Sequence, residues 1–352
     1  MIDSPSLQHE PVALPSRSFL RIAGSVLGYA LLVGLMIVTP LSVFVPAALF
    51  ACGFRNGRMS TVIALALGGG LALLLTIAVV TLSPDVARND VMMQYAFVMA
   101  FIASVGVPSI IVLPLVERGD QFARVLLIAL ITSMLGLIST ETTMRTEHNF
   151  SPYQQVIVLG QQRAAQILET YQKANIPSDT LGVLRRWIDF GMGCVPAFIL
   201  IEITTVFVLS LVMYGRLKSW REHVSRRMNH DTTQPVAPLF LFRNFQLPDW
   251  LLFAFIIGGL TPLASGMLQK VAANVLAVVT FLYFLQGLAI FRSMLVAVGA
   301  GFVGVMFSYF LLVILTITGI APFLLSIAGL FDSFFDIRHF RRKDHSDESH
   351  PH

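Results

Sequence analysis

The stretch Trp187–Tyr214 reads WIDFGMGCVPAFILIEITTVFVLSLVMY and decides the class of fold. It is an apolar run long enough to cross a bilayer, which needs roughly 20 residues. Of the chain's 20 acidic residues, Glu202 is the only one deep inside a long apolar segment. A charged carboxylate at that depth must face protein or water, find a partner or stay protonated. The stretch therefore predicts a transmembrane helix with a polar centre.

The composition of the whole chain indicates the same environment. The 352 residues are 55% hydrophobic and only 12% charged, with a mean hydropathy of +0.75. Soluble domains are nearer a quarter charged, so a water-soluble globular domain is excluded. The net charge of +4 does not indicate nucleic acid, because the basic residues lie at the ends of apolar runs. That placement is typical of membrane orientation.

The apolar runs predict an all-α fold, a polytopic transmembrane helical bundle with about 8–10 membrane segments. The second and tenth runs are short, so each is compatible with either a full span or a re-entrant loop. The ten runs are Phe19–Thr39, Leu41–Phe54, Ser60–Leu82, Val91–Val116, Phe122–Ser139, Trp187–Tyr214, Trp250–Met267, Val271–Leu295, Val296–Thr318 and Phe323–Phe335.

Hydrophilic stretches divide the chain into one integral membrane domain and two tails. The membrane domain covers residues 17–337, and we expect tails 1–16 and 338–352 to be disordered. Two hydrophilic stretches interrupt the membrane domain: an insert at 140–186 and a basic loop at 215–249, which we expect to be cytoplasmic. Most of the 24 Lys and Arg residues then fall on the side of both termini, which predicts an N-in, C-in topology.

The insert contains an amphipathic helix over Gln154–Lys173. Its apolar residues recur at helical spacing, at Ile157, Ala164, Leu168 and Tyr171. We expect this extramembrane helix to lie on the membrane surface or over the bundle. A non-spanning insert of this length is typical of a lid, a docking surface or an interfacial anchor.

Two polar groups inside the spans are candidates for substrate binding. Thr205 lies one turn beyond Glu202 on the same face, and the eighth segment carries Tyr283 and Gln286 on one face. If these four side chains face a common cavity, they could hold a small molecule. The alternative is structural: a protonated Glu202 bonded to a neighbouring helix, and a Gln286 amide bonded across helices, worth about 0.6 kcal/mol.

A second charged group lies near the ends of the eighth and tenth segments. Asp332 and Asp336 are four residues apart and share a helix face, and Arg292 and Arg338 are close by in the predicted topology. We interpret these four residues as structural ion pairs that fix the short final segment. The alternative is a carboxylate pair that attracts a cation.

No motif of known chemistry is present in the sequence. A phosphate-binding loop, a zinc-protease motif and a nucleophile elbow are all missing. The two cysteines, Cys52 and Cys194, lie in apolar runs without metal-ligand spacing. We therefore predict no catalytic residues, no metal and no cofactor, and we do not expect an enzyme.

Four marked stretches resemble the YybS-like family of bacterial polytopic membrane proteins, and the resemblance extends over roughly residues 15–340. They are ILETYQKANIPSDTLGVLRRW (Ile167–Trp187), FRNFQLPDW (Phe242–Trp250), NVLAVVTFLYFLQGLAIFRSML (Asn274–Leu295) and GLFDSFFDIR (Gly329–Arg338). The resemblance implies a location in the bacterial cytoplasmic (inner) membrane. It also implies a distant similarity to the substrate-binding subunits of energy-coupling-factor vitamin transporters. In such subunits small residues of the first span dock on a partner, as Gly24 and Gly28 could here.

Two functions follow from these features as expectations. The first is small-molecule binding or transport, with the lipid bilayer as the surroundings and a membrane or cytoplasmic protein as a further partner. The second is a membrane scaffold or assembly protein that recruits partners through the basic 215–249 loop or the amphipathic helix.

Overall fold

The structure is a computed structural model that describes residues 16–82, 88–118, 120–174, 176–229 and 242–335. The predicted tails, apart from Ser16, lie outside these residues, and so do Asp336 and Arg338. Throughout the described ranges the regular structure is helical, without a strand.

Thirteen α-helices make up the described part of the chain. They are α1 (Ser16–Ile37), α2 (Val45–Asn56), α3 (Arg58–Leu82), α4 (Arg88–Phe101), α5 (Val107–Arg118), α6 (Phe122–His148), α7 (Pro152–Lys173), α8 (Ser178–Gly193), α9 (Val195–Asn229), α10 (Leu251–Gly259), α11 (Gly266–Ala297), α12 (Phe302–Ile317) and α13 (Ile320–Phe335). Short 3-10 turns precede α2, α10 and α11, and the π-helix Ile102–Gly106 joins α4 to α5.

Five helical stretches in the described residues are long and apolar enough to cross a membrane. They are Arg58–Val79, Asp90–Arg118, Phe122–His148, Val195–Arg216 and Gly266–Ala297. The pair α12–α13 gives a sixth if its 106° bend lies within one span. With two shorter apolar helices, Arg21–Ile37 and Leu251–Leu263, the count reaches eight. The prediction of an all-α polytopic bundle is confirmed.

The sequence predicts one transmembrane helix over Trp187–Tyr214, but the structure divides this run into two helices. Helix α8 ends at Gly193, the chain turns at Cys194, and α9 begins at Val195. Pro196 explains the break: it lacks an N–H and its ring would clash with the carbonyl four residues earlier, whereas proline is tolerated in a first helical turn. The first residues of the run therefore belong to an amphipathic helix, and the span begins at the break.

Two predicted loop boundaries also differ from the helix bounds. Helix α6 continues to His148 and takes in the first residues of the 140–186 insert. Helix α9 continues to Asn229, so the first part of the 215–249 loop is helical. In both cases the helix carries on as a polar extension beyond its apolar span.

The largest apolar core lies where α5, α6, α9 and α11 meet the segment that precedes α10. Its fully buried members include Phe207 and Leu211 on α9 and Phe245 in the segment before α10. Phe245 contacts Phe122 of α6 edge to face, with ring centroids 5.4 Å apart. This core fixes α6, α9 and α11 relative to each other, and these three helices carry most of the site described below.

Glycines permit the closest helix crossings. A Cβ at Gly287 of α11 would lie 1.9 Å from the Leu325 carbonyl oxygen of α13, and one at Gly329 would lie 2.0 Å from the Tyr283 oxygen. Helices in lipid gain little from burying apolar surface, so close backbone packing supplies much of their association. The α11–α13 pair is therefore held at a distance that no larger residue allows.

We predict that Gly329→Ala destabilises the protein by about 1–3 kcal/mol, because the added methyl overpacks the α11–α13 crossing. Gly304→Ala on α12 is the matched control, since a Cβ there meets its nearest neighbour at an ordinary 3.6 Å. Thermal unfolding of both variants in lipid nanodiscs measures the difference. Equal midpoints for the two variants would contradict the packing argument.

Candidate functional site

A cavity of about 1650 Å³ lies between α6, α7, α8, α9, α10 and α11. We call it the main cavity. Helix α11 contributes a continuous stripe to its wall, at Met267, Lys270, Val271, Asn274, Val275, Val278, Val279 and Leu282. The first and last of these residues are about 22 Å apart along the helix axis. Helix α11 has 32 residues and is about 48 Å long, so the main cavity follows its first half.

The polar residues of the main cavity's lining are concentrated at one end. This polar end lies under α7 and α8, where Gln161, Glu169, Gln172, Arg185, Asp189 and Lys270 line the cavity beside apolar side chains such as Leu168 and Ile188. The apolar end lies between α6, α10 and α11 and contains Leu127, Leu130, Trp250, Leu251, Val278 and Leu282. The arrangement suits an amphiphilic molecule whose headgroup and tail occupy opposite ends.

Helix α7 forms a loosely attached cover over the polar end. None of its residues is buried. Its start is fixed by the Glu141 carboxylate, which accepts hydrogen bonds from the Tyr153 N–H at 3.0 Å and from the Ser151 hydroxyl. The Ser151 oxygen also caps the helix by accepting from the Gln154 N–H at 3.1 Å. The cover is therefore anchored at one end and weakly packed along its length.

Asn274 of α11 satisfies the backbone at the break between α8 and α9. Its Oδ1 accepts from the Ala197 N–H at 2.8 Å, and its Nδ2 donates to the Gly193 carbonyl at 2.9 Å and to the Lys270 carbonyl at 2.7 Å. Irregular backbone inside a membrane is tolerated only where protein or water supplies the missing bonds. This one amide supplies them here, at the wall of the main cavity.

Gln286 lies twelve residues further along α11, just beyond the apolar end of the main cavity. Like Asn274, it bonds to backbone at an interruption between helices. Its side chain is fully buried, and its Oε1 accepts from the Leu247 N–H at 3.1 Å. Its Nε2 donates to Asp332 Oδ2 of α13 at 3.2 Å. Gln286 therefore ties both α13 and the segment before α10 to α11.

Glu202 and Thr205 lie on the opposite side of α9 from the main cavity. Leu200 lines the main cavity, and Glu202 is about 200° further around the helix. Both Glu202 and Thr205 are exposed, and the Thr205 hydroxyl donates to the Ile201 carbonyl at 2.8 Å. The structure therefore does not bring them to Gln286. Tyr283 is buried, with its ring 5.7 Å from that of Phe255.

Of the predicted ion-pair residues, Arg292 and Asp332 fall within the described chain. The Arg292 guanidinium donates to the Tyr309 hydroxyl of α12 at 3.3 Å. The Asp332 carboxylate is buried and accepts the bond from Gln286. Through these two bonds Arg292 and Asp332 join the last three helices. The described residues contain no group of His, Cys, Asp and Glu that could hold a metal.

The sequence reasoning missed the main cavity and the roles of Asn274, Lys270 and Arg185. One signal in the sequence points towards it: Asn274 is a polar residue in an otherwise apolar segment. A polar residue of this kind indicates a hydrogen bond within the bundle, but it does not name the partner.

The helices and the cavity define a polytopic all-α membrane protein. A family model described as "Predicted membrane protein (DUF2232)" matches residues 25–333. The chain belongs to this family, which groups membrane proteins of unknown function. No curated protein and no solved structure matches the chain.

We predict that Asn274→Ala destabilises the protein by about 1–3 kcal/mol, because the Ala197 N–H and the Gly193 carbonyl lose their partner. Amide exchange at Ala197 should accelerate in parallel. Gln161→Ala is the matched control, because the Gln161 amide also lines the cavity but is exposed and does not hold a break in the backbone. Unchanged exchange at the break in Asn274→Ala would show that the amide is dispensable.

Proposed function

We propose that the protein binds an anionic amphiphile in the main cavity, and so acts in small-molecule binding or transport. The observation that carries this proposal is the division of the cavity into a polar and an apolar end over about 22 Å of α11. A volume of about 1650 Å³ exceeds the 300–1,000 Å³ of ordinary small-molecule pockets and suits a lipid-sized ligand.

The headgroup decides which amphiphile is selected. Lipid tails are as apolar as leucine side chains, so moving a tail from bilayer to cavity gains little free energy. Discrimination must therefore come from polar contacts, and these lie under α7 and α8.

The charges at the polar end favour an acidic headgroup. Two basic residues, Arg185 and Lys270, line it together with two acidic ones, Glu169 and Asp189. Lys173 already pairs with Glu169, at 2.7 Å between Nζ and Oε1. Because Glu169 is paired with Lys173, the two basic residues face only one other carboxylate, that of Asp189. A ligand with a carboxylate or a phosphate ester would neutralise the remaining positive charge.

Exposed apolar residues at the cavity's edge support entry from the lipid. Met267 of α11 is 83% exposed and Ile131 of α6 is 56% exposed, and both line the main cavity. Ile131 is the tenth of the 27 residues of the spanning helix α6, so its exposed side chain meets hydrocarbon, whereas Met267 lies at the start of its span. An amphiphile could then enter sideways without leaving the membrane.

The setting that we propose is the bacterial inner membrane, with both termini inside. The resemblance to the YybS-like family and the concentration of Lys and Arg beyond the end of the α9 span support it. In that orientation the polar end of the main cavity faces outwards.

We predict that Lys270→Gln and Arg185→Gln each weaken binding of dansylamino-undecanoic acid about fivefold, since each removes roughly 1 kcal/mol of attraction. Fluorescence titration in phosphatidylcholine nanodiscs gives the affinity. Arg186→Gln is the matched control, because Arg186 neighbours Arg185 but does not line the cavity. The methyl ester of the probe should bind more weakly than the acid. Equal affinity in wild type and both variants would refute the assigned headgroup site.

A second candidate function is a membrane scaffold, and the exposure of Glu202 favours it. Phe198 and Leu209 lie on the same exposed face of the α9 span. A carboxylate on a lipid-facing surface is costly, so a partner helix that covers it would be stabilised. The 140–186 insert and the basic 215–249 loop would then add contacts outside the membrane.

We predict that, if Glu202 is covered by a partner, native mass spectrometry of protein released from its membrane detects a bound subunit that Glu202→Leu loses. Leu209→Ala on the same face serves as the control and should retain the subunit. A monomer in wild type and variant alike would reject the scaffold.

A further inference from the structure

A second cavity of about 870 Å³ lies at the start of α6, beside the segment that precedes α10. Its lining mixes apolar residues with polar ones, and the polar ones include Asp120, Arg124, Asn244, Gln246 and Asp249. Arg124 and Asp120 pair across one helical turn at 3.6 Å. The proposed function makes no use of this second cavity.

The two cavities share two lining residues, Leu127 and Trp250. Along α6 the second cavity ends at Ile128, and the main cavity begins at Leu127 and continues to Met134. The cavities therefore follow one another along the same helix. Two large apolar side chains lie where they meet.

The polar ends of the two cavities lie at opposite ends of the bundle. Helix α6 has 27 residues and is therefore about 40 Å long, more than the thickness of a bilayer's hydrocarbon core. The second cavity lies at the beginning of α6. The end of α6 leads into α7, which covers the main cavity. Together the two cavities extend from one membrane surface towards the other.

We propose that the two cavities form one route across the membrane for the amphiphile's headgroup, closed by Leu127 and Trp250. This inference rests on the proposed binding function and adds passage to it. Apolar constrictions close membrane pathways because a polar group must shed its hydration to pass them. The polar residues of the second cavity lie on one side of this apolar contact, and the apolar end of the main cavity extends the barrier on the other side.

Gln286 positions the closing segment. Its Oε1 holds the Leu247 N–H, and Leu247 lines the second cavity. Trp250 comes three residues later, immediately before α10, and is 55% exposed. The backbone is therefore fixed by a buried bond, while the indole has room to change rotamer. Opening requires a side-chain movement and leaves the core intact.

Thiol labelling tests the route without knowledge of the natural ligand. The background is Cys52→Ala with Cys194→Ala, reconstituted in sealed liposomes and treated with a membrane-impermeant maleimide. One reporter, Gln161→Cys, lies in the main cavity, and a second, Gln246→Cys, lies in the second cavity. When the maleimide is added on the side of the membrane from which Gln161→Cys reacts, Gln246→Cys should not be labelled.

Removal of the closing side chains should abolish that protection. Leu127→Ala with Trp250→Ala is expected to raise labelling of Gln246→Cys from the α7–α8 side by about tenfold or more. Phe253→Ala is the control, since Phe253 is exposed on α10 but lines neither cavity. Trp250→Leu is measured in parallel as a conservative variant and should give an intermediate rate.

The route is overturned if Gln246→Cys stays protected in both closing-residue variants while Gln161→Cys reacts normally. Thermal unfolding midpoints close to the wild-type value show that the variants are folded. Binding of dansylamino-undecanoic acid is titrated in the same preparations. Retained binding without new labelling contradicts passage alone, whereas absent binding in the wild type contradicts the proposed function.

Discussion

Backbone that leaves the helical conformation inside a membrane must find hydrogen-bond partners in the protein, and α11 provides them twice. Asn274 serves the break between α8 and α9, and Gln286 serves the segment before α10. Without these amides the backbone N–H and C=O groups at the interruptions would lose their partners, at the cost of about 1–3 kcal/mol predicted above for Asn274→Ala. The first interruption lies in the wall of the main cavity, and the second lies just beyond its apolar end. The cavity therefore depends on α11 both for its wall and for the breaks that leave space beside it.

The helices around the cavity differ in how firmly they are held. Helix α13 is fixed against α11 at Gly287 and Gly329, where no side chain separates the backbones. Helix α7 has no buried residue and is bonded chiefly at its start, through Glu141. Segments with few buried apolar contacts open at low free energy, so the cover is the element that can move while the α11–α13 pair remains in place.

The sequence predicted helix content, the amphipathic helix and most apolar spans, because these depend on local hydropathy and period. It did not reveal the break at Cys194, since an apolar run looks continuous although Pro196 marks its interruption. It also could not orient Glu202, because a helix in lipid is apolar on its buried and exposed faces alike, which removes the usual amphipathic signal. The sequence also did not predict the cavity, because its two basic residues, Arg185 and Lys270, come from helices far apart in the chain.

The sideways opening beside Ile131 decides whether ligand concentration in the membrane or in water controls binding to the site. A ligand that arrives through the lipid is sampled as a mole fraction of the membrane, not as a molarity in water. Each added methylene favours partition into the bilayer by about 0.8 kcal/mol, yet it leaves the exchange between bilayer and cavity almost unchanged. An affinity calculated from the ligand's concentration in water should thus rise with chain length. An affinity calculated from its mole fraction in the membrane should stay the same. The membrane sorts ligands by tail, and the protein then sorts them by headgroup.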